Sequence, residues 1–195
     1  MKIFTAEASP FGRKTVVVAR EQELAVELEL VNVYEATFLD KINPLRQIPT
    51  LQLDDGTAIY DSAVICQYLD SIARKPTLYP DKDRWRWQVR NALADGLAQV
   101  SLLLRQQSIL PDGERSKMMM DRYTARLHRA IDGLEAQANA LAAGGLRIDQ
   151  ITAATALAHV DFRHTRDWRA RCPKLAAWFE SFSQRPSMVA TAIKG

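Results

Sequence analysis

Cysteine is nearly absent from this chain: two in 195 residues, Cys66 and Cys172. They lie far apart and form neither a CxxC pair nor a metal-type spacing. A disulfide scaffold, a dithiol redox centre and a metal site are therefore not expected. Two such thiols fit a reducing compartment, with Cys66 in a helix core and Cys172, just ahead of Pro173, in a structural place. No run of about 18 apolar residues occurs, so no membrane helix is expected. Nothing after Met1 has the basic-then-apolar pattern of a leader, and the expected location is cytoplasmic. There is no Gly-rich phosphate loop, no dinucleotide fingerprint and no Ser-His-Asp arrangement. His128 and His164 have no metal-spaced partners. His159, set among Ala154, Leu157, Ala158 and Val160, is expected to be buried.

What is present is ordinary globular material, 47% hydrophobic and 25% charged. The net charge of +3 is too small to imply nucleic acid, but it is unevenly spread. Residues 1–78 carry a net −3 and residues 79–195 a net +6. That asymmetry predicts two units, the second able to attract acidic ligands. Residues 2–5 read as a strand and 10–23 as a helix. Glu27 to Val33 alternates as a half-buried strand does. Ile48 to Leu53 and Thr57 to Tyr60 flank the turn signal Asp54-Asp55-Gly56 and read as a hairpin. Asp61-Ser62 opens a further helix. This order predicts an α/β sandwich around a small mixed sheet. Past Pro76 and Pro80 the strand pattern stops. Helices over roughly 85–107, 114–142, 150–168 and 173–184 predict an all-α second unit.

Three short stretches of the first unit carry the chemistry. Ser9-Pro10 follows the first strand. Ser9 reads as a helix N-cap, with Pro10 at N1 where a missing N–H costs nothing. A helix start offers unpaired N–H groups and the positive end of a dipole, a good place for an anion. Ile48-Pro49 precedes the third strand and reads locally as a strand entry. Asp61-Ser62 reads locally as a second helix cap.

Together these stretches resemble the glutathione S-transferase family, and the resemblance spans essentially the whole chain. Ser9-Pro10-Phe11-Gly12-Arg13-Lys14 is similar to its Ser-Pro-Phe-x-Arg-Lys start. Asn43-Pro44-Leu45-Arg46-Gln47-Ile48-Pro49 is similar to its Asn-Pro-x-x-x-Val-Pro segment. Tyr60-Asp61-Ser62 resembles its Glu/Asp-Ser helix opening, and Leu78-Tyr79-Pro80-Asp81 its interdomain linker. The resemblance implies a thioredoxin-like domain over 1–78, a linker over 79–84 and a helical-bundle domain over 85–195. It implies glutathione as co-substrate, held by Ser9, Phe11, Gln47, Ile48, Pro49, Asp61 and Ser62, with Ser9 stabilising the thiolate. Pro49 would follow a cis bond, leaving the Ile48 backbone to pair with an extended peptide. Ser62 would take the γ-glutamyl carboxylate and Asp61 the ammonium. Arg13, Lys14 and Arg46 are further candidate contacts to glutathione's charged ends. Leu102, Arg105, Gln106, Met118 and Met119 would face a hydrophobic electrophile. A detoxifying transferase follows, acting as a homodimer. The alternative is a protein of this fold that holds glutathione or a partner without turnover.

Several residues depart from the pattern or read differently alone. The second domain's core helix usually opens on Ser/Thr-x-x-Asp, whereas Arg147 and Gln150 stand at those places here. Arginine cannot accept a hydrogen bond at a cap, so Arg147→Ser is expected to raise the melting temperature. Position 9 is Ser rather than Cys, which disfavours a mixed disulfide with glutathione. Arg84-Trp85-Arg86-Trp87-Gln88-Val89-Arg90 alternates basic and aromatic residues. It reads as the first turns of a helix, with Arg86 and Arg90 on a wet face, rather than as a nucleic-acid surface. Arg163, Arg166, Arg169 and Arg171 read as a solvated basic helix end.

Overall fold

The computed structural model describes residues 1–164 and 167–193, so Arg166 and part of the helix expected over 150–168 lie outside the described residues. The chain forms two compact units. One comprises Met1–Pro80 with the segment that begins at Pro186, the other Asp81–Arg185.

The first unit is built on four strands: β1 Lys2–Thr5, β2 Glu27–Leu30, β3 Thr50–Gln52 and β4 Ala58–Ile59. Their order is β2-β1-β3-β4, with β2 parallel to β1 and the remaining pairs antiparallel. Helix α1, Pro10–Glu21, makes the crossover between the two parallel strands, and α2, Ser62–Ile72, follows β4. Ile3, Val17, Val18, Leu51, Ile65 and Leu69 are sealed between sheet and helices. This is the thioredoxin-like arrangement expected from the strand and helix order. One strand differs from expectation. Leu28 and Leu30 remain 42% and 57% exposed, because β2 is the sheet edge and its alternation marks no buried face.

The second unit is helical: α3 Arg84–Ser108, α4 Lys117–Glu135, α5 Ala138–Ala142, α6 Ile148–Arg163, α7 Trp168–Arg171 and α8 Pro173–Ser183. Helix α6 is the core of this unit, with Ile151, Ala153, Ala154, Ala156, Leu157 and Val160 all fully buried, as is usual for a helix apolar on every side. His159 is buried there as expected. The helix expected over 114–142 breaks at Ala136–Gln137, where neither Gly nor Pro announces it.

Two charged residues correct the local reading. Arg90 is not on a wet face; it is buried, and its Nε donates to Asp149 Oδ2 at 2.8 Å. Arg147 is not a defective cap. Its backbone N–H donates to Gln150 Oε1 at 2.8 Å, which supplies one half of a capping box. Its guanidinium turns back to the end of α5, donating to the carbonyls of Ala140 and Ala143 at 2.9 Å each. Its Nε also reaches Asp149 Oδ1 at 3.1 Å. A serine cap returns about 0.5–2 kcal/mol, whereas each bond to a charged group is worth about 1.5–3 kcal/mol. The expected sign is therefore reversed: Arg147→Ser should lower stability by about 2 kcal/mol, measured by denaturant titration. An unchanged or raised midpoint would show that these bonds contribute nothing.

The last helix, α9 Pro186–Ala190, also differs from expectation. It belongs to the first unit and not to the helical one, because Arg13 on α1 ties it down. The Arg13 guanidinium donates to the Met188 carbonyl at 2.9 Å and to Thr191 Oγ1 at 3.3 Å, and burial pulls its pKa down to about 10.

Candidate functional site

Sheet register brings the three chemical stretches together. Phe4, near the end of β1, pairs with Thr50, at the start of β3. Leu51 pairs in turn with Ile59, at the end of β4. The turn into α1, the entry to β3 and the turn into α2 therefore emerge at one end of the sheet. Ser9, Ile48, Pro49, Asp61 and Ser62 lie on those three connections.

At the first connection Ser9 caps α1, its Oγ accepting from the Gly12 N–H at 3.1 Å. A hydroxyl that accepts through one lone pair still has its hydrogen to donate, so capping and sulfur binding are compatible. Pro10 has no N–H, and among the described residues nothing accepts from the Phe11 N–H. Two donors are thus left at a positive helix end. Gly12 makes this geometry possible. A Cβ there would stand 1.8 Å from Thr5 Oγ1 and 3.3 Å from Ser9 Cβ, so α1 starts against β1 only because position 12 has no side chain. In the family motif position 12 is an arbitrary residue; the local signal for its role is a glycine inside an otherwise helical pattern.

At the second connection the Ile48–Pro49 bond is cis. The Ile48 side chain packs against the cluster of Phe4, Ala36 and Leu39, while among the described residues its N–H and carbonyl take no partner. Buried Asn43 shapes this loop. Its Nδ2 donates to the Gln47 carbonyl at 3.0 Å and to Thr50 Oγ1 at 2.9 Å, and its Oδ1 accepts from the Leu45 N–H at 3.0 Å. The sequence shows Asn43 only as a letter of the motif, since its partners are set by the folded loop. Gln47 is exposed beside Ile48.

At the third connection Asp61 caps α2, accepting from the Ala63 N–H at 2.9 Å, and the Tyr60–Asp61 bond is cis. Ser62 is only 5% exposed, yet among the described residues nothing pairs with its hydroxyl or its N–H. A hydroxyl with no partner among the described residues, at a helix start, is a vacant anion donor.

Three cations expected near glutathione are engaged elsewhere. Arg13 holds α9, and buried Lys14 stacks over the Phe11 ring at 5.6 Å. Arg46 forks onto Asp40, holding that carboxyl below its ordinary pKa. The residues expected to face an electrophile all lie in the helical unit, Leu102, Arg105 and Gln106 on α3 and Met118 and Met119 on α4. Met118 is 72% exposed, and the Met119 N–H is capped by Ser116. Among the described residues no cluster of three metal-ligating side chains occurs.

The site therefore belongs to a thioredoxin-like unit with vacant donors, among the described residues, at two helix starts, and a helical unit follows it in the chain. Residues 8–72 match the family described as the N-terminal domain of glutathione S-transferase, and residues 119–181 match its C-terminal domain. The chain belongs to the glutathione S-transferase family. A glutathione transferase family member from Pseudomonas fluorescens Pf-5, solved with bound glutathione, is 37% identical over 100% of this chain and 99% of that one, with a TM-score of 0.95. A Pf-5 family member solved with S-(propanoic acid)-glutathione is likewise 37% identical, covering 100% of both chains, with a TM-score of 0.90. The uncharacterized GST-like protein YibF of Escherichia coli K12 is 27% identical over 98% of each chain.

Proposed function

We propose that this protein is a glutathione transferase. Glutathione would be held along the first unit's sheet end by Ser9, Phe11, Gln47, Ile48, Pro49, Asp61 and Ser62. The observation that carries the reading is the set of groups there that take no partner among the described residues: the Ser9 hydroxyl hydrogen, the Phe11 N–H, the Ile48 backbone and the Ser62 hydroxyl. The similar Pf-5 structures with glutathione and its S-propanoic acid derivative support it. A free thiol ionises near pH 8.5, and lowering that by about two units needs about 2.7 kcal/mol. Two hydrogen bonds to the charged sulfur, at about 1.5 kcal/mol or more each, meet that requirement. Ser9 and Phe11 have the two donors.

The sulfur lone pair then attacks an electrophilic carbon. In substitution the leaving group departs with the bonding pair; in addition the displaced π pair takes a proton from water. Ser9 stays a hydrogen-bond donor throughout, and proximity supplies the rest. The electrophile rests against Leu102, Arg105, Gln106, Met118 and Met119, where methionine suits a broad apolar site. A cytoplasmic, detoxifying role is part of the same reading. A homodimer is supported by Trp85 and Val89, which lie one turn apart on α3 and are 75% and 64% exposed.

The test is the ultraviolet absorbance of thiolate at saturating glutathione. The wild type should show it roughly two pH units below free glutathione. Ser9→Ala should raise the bound thiol's pKa by about one unit and cut the neutral-pH rate about tenfold. Binding without thiolate would leave a glutathione-holding protein and remove the transferase. Thiolate that persists unchanged in Ser9→Ala would transfer the role to the Phe11 N–H.

A further inference from the structure

The first turn of α1 is held from two sides, by two neighbouring residues. Ser9 is gripped by their backbone N–H groups: Gly12 donates to its Oγ at 3.1 Å and Arg13 to its carbonyl at 2.9 Å. Gly12 is pressed against Thr5 of β1, with no room for a Cβ. Arg13 projects about 100° further around the helix and reaches the last described segment of the chain. Its Nη2 donates to the Met188 carbonyl at 2.9 Å and its Nε to Thr191 Oγ1 at 3.3 Å. The two residues whose N–H groups hold Ser9 are thus two that tertiary contacts fix.

Helix α9 is a firm support for this grip. Met188 is buried, and Ser187 Oγ donates to Glu21, the last residue of α1. Thr191 Oγ1 donates to the Ser187 carbonyl at 2.8 Å, so the hydroxyl that Arg13 uses is itself oriented. The segment therefore bonds to α1 near both ends of that helix, and all of these residues belong to the first unit. An apolar side chain at position 13 would seat α9 with no buried charge. Arg13 is 8% exposed, and among the described residues it meets no carboxylate, only two neutral oxygens. Burying a guanidinium without a counter-charge is costly. A rigid fork on two acceptors supplies what leucine or methionine cannot, a fixed direction. That direction passes through the Arg13 backbone to Ser9, one turn back, and to the Phe11 N–H in the same turn.

We propose that Arg13 is a positioning residue of the thiolate site: by clasping α9 it fixes the first turn of α1, and with it the Ser9 and Phe11 donors. Residues 186–191 become a working part of the glutathione site. This rests on the transferase reading above and adds to it how the Ser9 geometry is set.

The experiment follows the thiolate absorbance of bound glutathione against pH, at saturation, in full-length wild type, Arg13→Met and Met188→Ala. The first variant removes the fork. The second loosens α9 and leaves every residue of α1, and the Arg13 charge, in place. Both should raise the bound thiol's pKa by about half a unit or more and cut the neutral-pH rate about threefold. The deficit should close as pH rises through the new pKa, because thiolate then forms without help. Arg13→Lys, which can keep one of the two bonds, should fall between wild type and Arg13→Met. A lower melting temperature with the thiol pKa unmoved in both variants would make the contact purely structural and overturn the proposal. A shift in Arg13→Met alone would assign the effect to the charge, and lost glutathione affinity at an unmoved thiol pKa would make Arg13 a ligand contact; either overturns it. If Arg13→Met does not fold, Met188→Ala decides alone, a raised thiol pKa supporting the proposal and an unmoved one overturning it. If the wild type binds glutathione without forming thiolate, the transferase reading falls and takes this proposal with it; wild-type thiolate that both variants keep overturns the proposal only.

Discussion

Asp149→Ala is expected to lower stability by about 3–5 kcal/mol, seen as a large drop in the denaturant midpoint. Asp149 is fully buried and divides its oxygens between two arginines, Oδ1 to Arg147 and Oδ2 to Arg90. The Arg90 side chain is itself only 9% exposed. Removing the carboxylate leaves two cations facing each other, one of them with almost no access to water. The loss is dominated by that uncompensated charge, and the Coulombic value of the pair is secondary. Replacing Arg90 and Asp149 together by leucine should recover much of it, because the stranded charge goes too. A single-mutant loss below about 1 kcal/mol, or a double mutant as weak as the single, would show that the triad is not what joins α3 to α6.

Gly12→Ala is expected to cost about 1–3 kcal/mol through overpacking and to weaken glutathione binding by about tenfold or more. The added methyl meets Thr5 Oγ1 at 1.8 Å, and Thr5 is buried on β1 with little room to turn. Relief comes by moving the start of α1 off the sheet, and Ser9 moves with it. Thr5→Ala on the same chain removes the clashing oxygen and leaves Thr5 Cβ at 3.1 Å from the new methyl, a contact a small shift can absorb. The double variant should therefore bind glutathione better than Gly12→Ala alone. If it binds no better, the close approach of α1 to β1 is not what sets Ser9.

Two of the site's three connections were legible as local signals: a serine before proline caps one helix, and an aspartate before serine caps another. The cis bond before Pro49 came from family resemblance, since local chemistry favours trans. What was misread were the partners of charged residues. Arg13 and Arg90 read as a ligand contact and a wet helix face, because a charged residue with no local partner looks solvated; Arg147 read as a missing cap, because its partners are backbone carbonyls and a buried carboxylate that only the folded turn brings to it. Arg13 finds its acceptor 175 residues away and Arg90 finds its own 59 residues away. Distances of that kind leave no trace in a local window.

The sequence by itself determined the two-unit order, the thioredoxin-like element pattern, the caps at Ser9 and Asp61 and the family. These follow from propensity, periodicity and capping chemistry, which act over a few neighbouring residues. Tertiary structure alone decided which donors stay vacant at Ser9, Phe11 and Ser62, why position 12 must be glycine, and which arginines are paired. Each of these depends on what another segment brings alongside, and that is fixed by how helices and strands pack.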